Sequence, residues 1–275
     1  MIELPGDHEI WQRAEAWRLE PVGEPFATHS SRLLAATQDG QPVILKLTNY
    51  PEEIAGGAVQ QWWGGDGAAL VLDREGNALL MERAVGSGSL YQQCLGGDDK
   101  QPIHIMCNVL ERLHVVRSLP PPRTVTLADW FDELLTADPT EPEVARGKHI
   151  AENLLTTHTD EVVLHGDVHH QNVLDFGDGR WLAIDPKGLF GDRAFDYVNI
   201  FRNPTTPIAA DPTRFRRRVR QIAMRAGLDR THLLEWIAAF CALSICWGYY
   251  PGDAGPDSDR AVLELALELL DEETI

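Results

Sequence analysis

Residues 162–176 read VVLHGDVHHQNVLDF and place three histidines, two aspartates and one asparagine among apolar residues. The run VVL is typical of a short buried strand. Buried polar side chains cost free energy unless each one finds a partner, so a cluster of this density is unfavourable as plain core. The stretch therefore predicts a buried strand that ends at a functional site, and the fold must accommodate both.

Two chemical interpretations fit this polar cluster. In the first, imidazole and carboxylate groups hold a transition metal in a phosphoesterase. In the second, Asp167 is the base and Asn172 a metal ligand of a phosphotransferase. The metal ligands of the first interpretation would be His165, Asp167, His169 and His170. That interpretation requires more ligands, and the histidines earlier in the chain lack acidic partners in motif spacing: His8, His29, His104 and His114.

The charge of the chain limits its partners. The 275 residues carry a formal net charge of −18, with a pI near 4.9. Nucleic acid and anionic membranes are therefore not expected as partners, whereas a small cationic substrate would be attracted. The basic run RFRRRVRQIAMR, residues 214–225, is a local exception that we interpret as the solvated face of a helix.

The sequence predicts a cytoplasmic protein. The N-terminal stretch lacks the basic region and apolar core of an export signal. The longest uncharged run, residues 236–252, is short for a membrane span. The four cysteines form no C-x-x-C pair, which fits a reduced compartment. The sequence indicates no oligomeric state.

The first third of the chain is rich in strand-like runs. Residues 32–37 and 42–48 flank an Asp-Gly turn signal, and residues 68–73 and 77–84 flank REGN. A short helix, PEEIAGGAVQQWW, is predicted between the two pairs. These runs predict a small antiparallel sheet with one inserted helix.

From about Ser89 onwards, apolar residues recur at helical spacing. The segment VGSGSL is a natural linker between the two patterns. We therefore predict an α+β chain with a β-rich lobe over residues 1–85 and a mainly helical lobe over residues 86–275. Within the second lobe, short strands are expected on both sides of the polar cluster, in EVVLHGD and GRWLAIDP. The predicted helices are residues 99–116, 126–135, 143–157, 213–227, 231–247 and 257–273.

Phosphoryl transfer from a nucleotide needs few parts, and four polar residues offer each of them in a sensible order. Lys46 interrupts the apolar run VILKL, Asp167 follows the VVLH strand, Asn172 comes five residues later, and Asp185 ends WLAID. A cation can hold phosphates, carboxylate and amide oxygens suit Mg²⁺, and a carboxylate can orient an acceptor hydroxyl. Each residue alone has a structural explanation, but the ordered set favours a phosphotransferase.

The motifs LHGDVHHQNVL and AIDPKGLFGDRAFDYVNIFRNP resemble the aminoglycoside phosphotransferase family. More narrowly, they resemble the branch of streptomycin 6-kinases and hydroxyurea phosphotransferases, as do WGGDGAALVLD, LLMERA and CALSICW. The likeness runs from about residue 30 to residue 250. It implies a protein-kinase-like, two-lobed fold with ATP and Mg²⁺ bound between the lobes.

The resemblance also implies roles for individual residues. Asp167 would be the base that orients the acceptor hydroxyl, and His165 would position the catalytic loop. Asn172 and Asp185 would hold Mg²⁺, and Lys46 would bind the α- and β-phosphates.

The remaining nucleotide contacts follow from the same resemblance. Glu53, with Glu52 as the alternative, would be the helix glutamate that pairs with the strand lysine. The backbone of Glu82 to Ala84 would meet adenine. No G-x-G-x-x-G precedes the lysine; ATHSSRLLAAT occupies that place, where Ser30 and Ser31 either bind phosphate or form an ordinary turn.

The acceptor is expected to be a small polar molecule with a hydroxyl group, a streptomycin-like cation first. Hydroxyurea and an endogenous metabolite are the alternatives within this class, and a silent kinase-like binding protein is the alternative outside it. Aromatic side chains beside acids suit a cationic, polyhydroxylated ligand. The candidate acceptor residues are Asp129, Trp247 and Tyr250, although the two aromatics also fit a plain core role.

Overall fold

A computed structural model describes residues 2–157, 159–248 and 255–273, without the side chains of residues 255 and 256. Within these residues, the N-terminal part forms one six-stranded antiparallel sheet in the order β1-β3-β4-β6-β5, with β2 also paired to β3. One helix precedes the sheet and a second is inserted into it. The elements are α1 (Asp7–Ala16), β1 (Glu20–Pro21), β2 (Phe26–Ala27), β3 (Ser31–Gln38), β4 (Gln41–Thr48), α2 (Pro51–Trp63), β5 (Val71–Glu75) and β6 (Ala78–Glu82).

The predicted Asp-Gly hairpin is confirmed between β3 and β4. Gln38 pairs with Gln41, and the two turn residues both have positive φ, 51° at Asp39 and 77° at Gly40. Such a two-residue turn matches the right-handed twist of its strands and fixes their register. The register places Leu33 opposite Lys46 at the centre of the sheet.

Alternation along β4 separates two environments. Val43, Leu45 and Leu47 pack into a buried cluster beneath α1. Side chains two residues apart lie on the same face of a strand, so Ile44 and Lys46 share the opposite face. That face meets the C-terminal part of the chain, because Ile44 packs in a cluster that includes residues of both parts.

The C-terminal part is mainly helical. Its core contains edge-to-face aromatic contacts, among them Phe131 with Trp236 and Phe195 with Phe240. Residues 126–135, which we predicted to be one helix, form two short ones, α5 and α6. The helices are α3 (Leu90–Leu95), α4 (Lys100–Leu113), α5 (Leu127–Trp130), α6 (Asp132–Thr136), α7 (Pro142–Thr157), a 3₁₀ helix (Arg193–Tyr197), α8 (Asn199–Arg202), α9 (Thr206–Ala209), α10 (Pro212–Ala226), α11 (Arg230–Trp247) and α12 (Gly255–Glu273).

Short strands in the helical part carry the polar loops. A hairpin pairs β9 with β10, and a three-stranded sheet has the order β7-β11-β8. The polar cluster therefore links β8 to β9, and the IDPKG segment links β10 to β11. The strands are β7 (Val125–Thr126), β8 (Glu161–Leu164), β9 (Val173–Asp175), β10 (Trp181–Ala183) and β11 (Leu189–Asp192). The strands predicted in EVVLHGD and GRWLAIDP are β8 and β10.

The glycine-rich linker is packed against β9 and β10. The backbone N–H of Gly86 donates to the carbonyl oxygen of Asp175 at 2.9 Å, and that of Gly88 donates to its carboxylate at 3.0 Å. A Cβ atom at Gly86 would lie 2.0 Å from the carboxyl carbon of Asp175. The two glycines therefore allow the linker that follows β6 to pack closely against Asp175 in β9.

The basic run on α10 is used inside the chain. Arg214, Arg217 and Arg218 all donate to the carboxylate of Asp99, whose side chain is 1% exposed. These contacts tie α10 to the start of α4. The prediction that this run is a solvated helix face is therefore wrong for these three arginines, because they pair with a buried carboxylate, and Arg218 itself is 1% exposed. None of the helices in the described part of the chain is long and apolar enough to cross a membrane.

Candidate active site

Lys46 is buried where the sheet faces the helical part. Its side chain is 6% exposed, and its ammonium nitrogen lies 2.8 Å from Asp185 Oδ1 and also contacts Glu53. Burial alone would lower the pKa of Lys46, but attraction to the Asp185 and Glu53 carboxylates outweighs it, and the pKa is raised. Lys46 is therefore a permanent positive charge at this interface.

Glu53, the favoured helix partner, makes the contact with Lys46 from the first turn of α2. Burial would raise the pKa of Glu53, but Lys46 and then Lys187 more than offset this, and the pKa falls to about 2. Glu53 is therefore ionised at neutral pH and serves as a fixed negative partner for two cations.

Ser30 and Ser31 hold Glu53 in place. The hydroxyl of Ser30 donates to Glu53 Oε1 at 2.8 Å, and the hydroxyl of Ser31 to Oε2 at 3.3 Å. Ser31 is 1% exposed. The geometry thus favours a role in orienting Glu53 for both serines over the direct phosphate contact considered from the sequence.

The polar loop is the segment of residues 165–172 that links β8 to β9. Asp167 and Asn172 face each other across this loop. The amide nitrogen of Asn172 donates to the carbonyl oxygen of Asp167 at 3.0 Å and to its Oδ2 at 3.2 Å. The carbonyl oxygen of Asn172 accepts the N–H of Ile184 at 2.9 Å, which joins this loop to the residue before Asp185. The amide oxygen of Asn172 makes no hydrogen bond within residues 2–157, 159–248 and 255–273, so it is free to bind a cation.

His165 supports the loop from below. Its Nε2 donates to the carbonyl oxygen of Ile184 at 2.9 Å, and its Nδ1 accepts the N–H of Asp167 at 3.2 Å. The ring is fully buried and stacks on Trp63, with 6.1 Å between centroids. Burial lowers the pKa of His165 despite attraction to nearby carboxylates, so the imidazole is neutral. These contacts suit a positioning residue.

A second brace comes from Asp196 in the 3₁₀ helix. Its carboxylate accepts the backbone N–H groups of His165 at 3.0 Å and Gly166 at 2.6 Å. His114 contacts the same carboxylate at 2.8 Å, and the Asn199 side chain donates to the Gly166 carbonyl at 3.2 Å. The backbone groups of the two residues before Asp167 are therefore hydrogen-bonded, which fixes the position of Asp167.

The IDPKG loop is pressed between α2 and the polar loop. Asp185 has φ of 60°, a left-handed conformation that costs free energy outside glycine and is found at functional sites. A Cβ atom at Gly56 of α2 would lie 1.7 Å from the carbonyl oxygen of Pro186. The N–H of Lys187 donates to the carbonyl oxygen of His165 at 2.7 Å. The close approach of Pro186 explains the glycine at position 56, in the centre of α2.

Lys187 is a site residue that the sequence analysis missed. Its ammonium group lies 3.6 Å from Glu53 Oε1, and its side chain is 24% exposed. Burial would lower the pKa of Lys187, but attraction to Asp167, then Glu53, outweighs it and the pKa is raised. The available signal was a lysine two positions after Asp185, in a loop already assigned to the site.

The histidines of the polar loop do not form a metal centre. His169 Nε2 lies 3.9 Å from Asp167 Oδ1, whereas both ring nitrogens of His170 are buried and have no partner among the described residues. Burial, reinforced by Arg218, places the pKa of His170 well below its usual value. No group of three or more His, Cys, Asp or Glu side chains in the described part could hold a metal ion. The phosphoesterase interpretation is therefore not supported.

An apolar cluster includes Ala84, the end of the segment Glu82 to Ala84 that is expected to meet adenine. Ile44 and Ala84 from the sheet side pack with Leu174 and Ile184 from the β9–β10 side in one cluster. The backbone of Ala84 makes no hydrogen bond within the described residues. A flat heterocycle could therefore lie between the apolar side chains and meet free backbone groups.

The side chain of Glu82 has a structural role beside this cluster. Its carboxylate accepts the N–H of Leu70 at 2.9 Å and pairs with Arg180 at 2.8 Å. Its own N–H donates to the Leu70 carbonyl at 3.0 Å. Glu82 thus joins the edge of the sheet to the β9–β10 hairpin. Of the two residues predicted to meet adenine, Ala84 is therefore the better placed.

The predicted acceptor residues are partly brought together. The Trp247 ring packs edge-to-face on Trp130 with 5.4 Å between centroids, and Asp129 is the neighbour of Trp130 in α5. The exposed carboxylate of Asp129 accepts a hydrogen bond from the Thr126 hydroxyl at 2.8 Å. Tyr250 lies outside the described residues.

The sequence model of the aminoglycoside/hydroxyurea antibiotic resistance kinases matches residues 16–252. A streptomycin 3''-kinase of Klebsiella pneumoniae is 42% identical over 261 residues, which cover 93% of this chain and 97% of that protein. A streptomycin 6-kinase of Streptomyces griseus is 30% identical over 254 residues, covering 86% and 81%. These matches confirm the resemblance inferred from the motifs.

Solved structures show the same fold. An amicoumacin kinase, solved with AMP-PNP and Ca²⁺, superposes with a TM-score of 0.63 at 14% identity and covers 97% of this chain and 94% of its own. The sheet-forming N-terminal part and the helical C-terminal part are thus the two lobes of a protein-kinase-like, α+β fold, as predicted.

Proposed function

The chain belongs to the aminoglycoside/hydroxyurea antibiotic resistance kinase family, and we propose that it transfers the terminal phosphoryl group of ATP to a hydroxyl of streptomycin. It is a small-molecule kinase, as its kinase relatives indicate. The arrangement that supports the proposal most is the contact of Lys46 with both Glu53 and Asp185, beside the hydrogen-bonded pair Asp167 and Asn172.

The reaction uses Asp167 as its base. Asp167 orients the acceptor hydroxyl and takes its proton while the hydroxyl oxygen forms a bond to the terminal phosphorus. The bond from that phosphorus to the β–γ bridging oxygen breaks, and ADP leaves with the electron pair. The hydrogen bond from Asn172 orients the Asp167 carboxylate, and the neutral ring of His165 accepts the backbone N–H of Asp167 and so fixes the main chain that carries it.

The donor groups present fit ATP and Mg²⁺. The free amide oxygen of Asn172 and the carboxylate of Asp185 are hard oxygen donors, which Mg²⁺ prefers, and few protein ligands are needed when phosphates complete the shell. Bound Mg²⁺ neutralises charge between the phosphate oxygens. Lys46 binds the inner phosphates, and Ala84 with its apolar neighbours receives adenine.

Streptomycin is the proposed acceptor, with phosphorylation at the 3'' position. A streptomycin 3''-kinase is the relative at 42% identity, whereas the streptomycin 6-kinase reported above is at 30%. The net charge of −18 would draw a guanidinium-bearing molecule towards the protein. Asp129 and Trp247 supply an exposed carboxylate and an aromatic face on the helical lobe.

An acceptor panel tests the proposal. Purified protein with ATP and Mg²⁺ is incubated with streptomycin, hydroxyurea, and a set of sugars and amino alcohols, and ADP release is followed at steady state. We expect the highest kcat/KM with streptomycin. Mass spectrometry should show a product heavier by one phosphoryl group, and NMR should show coupling to phosphorus at the 3'' carbon of that product. Asp167→Asn is the control for contaminating kinase.

The possible results separate the levels of the proposal. Coupling to phosphorus at carbon 6 instead would change only the proposed position of phosphorylation on streptomycin. A higher kcat/KM with hydroxyurea or a metabolite would reject streptomycin and leave the kinase reaction standing. Absence of ADP release with every acceptor would argue against the proposed reaction itself.

Metal dependence should be lost when Asp185 is replaced by Asn. Asn tolerates the left-handed conformation of position 185, so the backbone should be retained, while the anionic metal ligand is removed. We expect calorimetry to show that Mg²⁺ enhances ATP binding to the wild type and hardly affects binding to Asp185→Asn. Retention of the full enhancement would place the metal elsewhere.

A further inference from the structure

We propose that Lys187 is a second phosphate-binding cation, which contacts the terminal phosphoryl group of the nucleotide as it is transferred to the acceptor. The inference rests on the proposed function, because it takes Asp167 as the base. It adds a catalytic residue that the motif-based assignment of Lys46, Asn172 and Asp185 does not contain.

The position of the Lys187 backbone is fixed from two sides. Its N–H donates to the carbonyl oxygen of His165 at 2.7 Å, and the preceding carbonyl, of Pro186, lies against Gly56. The side chain therefore starts from a rigid point between α2 and the polar loop.

The ammonium group of Lys187 lies near Glu53 in the cleft between the two lobes, and its hydrogen-bond donors are not all used. Within the described residues it makes no hydrogen bond, and its ion pair with Glu53 Oε1 is 3.6 Å long. Glu53 is already satisfied by Lys46, Ser30 and Ser31. Lys187 thus retains donors for a ligand, and its side chain is 24% exposed.

The two cleft lysines face different parts of the site. Lys46 lies 2.8 Å from Asp185 Oδ1, the proposed metal ligand, whereas the backbone N–H of Lys187 donates to the carbonyl oxygen of His165, two residues before Asp167. The acceptor hydroxyl lies at Asp167 and attacks the terminal phosphorus. A cation whose backbone is held against the loop of the base is placed to meet the terminal phosphoryl group, while Lys46 meets the inner phosphates.

The residue type supports a phosphate contact. Only four of the chain's 24 basic residues are lysines, and two of these four, Lys46 and Lys187, are in this cleft. Arginine serves in the buried ion pairs elsewhere, for example at Asp99 and Asp259. Lysine is a compact charge on a flexible stem, which can follow a phosphoryl group as it moves between two oxygens.

Calorimetric titrations with ADP and with AMP-PNP, both in Mg²⁺, test the assignment. Lys187→Met keeps the length of the stem and removes the charge, and Lys46→Met is the comparison. The exposed Lys100 supplies a matched control, Lys100→Met. We expect Lys187→Met to weaken AMP-PNP binding by about tenfold or more and ADP binding by less than about twofold. Lys46→Met should weaken both, and Lys100→Met neither.

The outcomes distinguish the two levels of inference. Failure of the wild type to bind either nucleotide overturns the proposed function and this assignment with it. If the wild type binds both and Lys187→Met weakens them equally, or weakens neither, only the Lys187 assignment falls. Equal weakening would mean that Lys187 merely positions Glu53. Unchanged ADP binding by the variant reports an intact site, so a loss confined to AMP-PNP cannot come from a folding defect.

Discussion

Replacing Asp167 with Asn should lower kcat by about 10²- to 10⁴-fold, the usual contribution of a positioned general base. The amide has nearly the shape of the carboxylate and keeps an oxygen that can accept the hydrogen bond from Asn172. The backbone contacts of Asp167 with His165 do not involve its carboxylate. Nucleotide affinity and thermal stability should therefore stay close to those of the wild type.

Asp178→Asn is the matched control for this substitution. Asp178 is exposed in the turn between β9 and β10, with φ of 53°, a conformation that Asn also tolerates. The same change of charge outside the site should leave kcat unaffected. An Asp167→Asn enzyme with near-normal turnover, measured beside this control, would remove Asp167 from the role of base.

The parts of the site that lie on single motifs could be predicted from the sequence. Asp167 and Asn172 share one loop, and Asp185 ends the next strand, so local spacing alone brings them close. Lys46 was conspicuous because it is a charged residue in an apolar strand. The structure places Lys46 against Asp185 across 139 positions of sequence, a distance that only the fold can close.

The parts that depend on packing between distant segments could not be predicted. Ser30 and Ser31 stood where a phosphate-binding loop was expected, and nothing local shows that their hydroxyls donate to Glu53 on α2. Lys187 follows an Asp-Pro pair that also suits a plain turn. Its significance comes from Glu53 on α2, which lies 3.6 Å from its ammonium group, and from the backbone of His165, which accepts its N–H.

The role of the two glycines in AGGA was the hardest feature to predict from the sequence. In AGGA they argue against a helix by propensity, because each lowers helix stability by about 1 kcal/mol relative to Ala. The helix nevertheless forms as α2, and one of the two glycines is needed for contact with another loop. A sequence cannot tell which glycine serves contact and which merely lowers propensity, but the structure separates them.

Gly56→Ala should lower kcat/KM by about 10²-fold, since the methyl group would displace α2 from the IDPKG loop. Its Cβ would lie 1.7 Å from the carbonyl oxygen of Pro186 and 2.8 Å from the carbonyl carbon, and neither backbone atom can move alone. The same loop donates from the N–H of Lys187 to His165. Moving either element would separate Glu53 from Lys46, and shifts of about 1 Å in a catalytic arrangement can reduce rates by about 10²-fold.

Gly57→Ala provides the matched control on the same helix. A Cβ atom there would meet only Leu79 at 3.5 Å and Arg74 at 3.8 Å, which is ordinary contact. That variant should be as active as the wild type and more stable by about 0.5–1 kcal/mol, because Ala replaces Gly in a helix. Gly56→Ala should instead be destabilised by about 1–3 kcal/mol through overpacking. Thermal melts and kcat/KM for the two variants are measured in parallel. Equal melting temperatures and equal kcat/KM values for Gly56→Ala and Gly57→Ala would show that α2 does not depend on the Pro186 contact for its position.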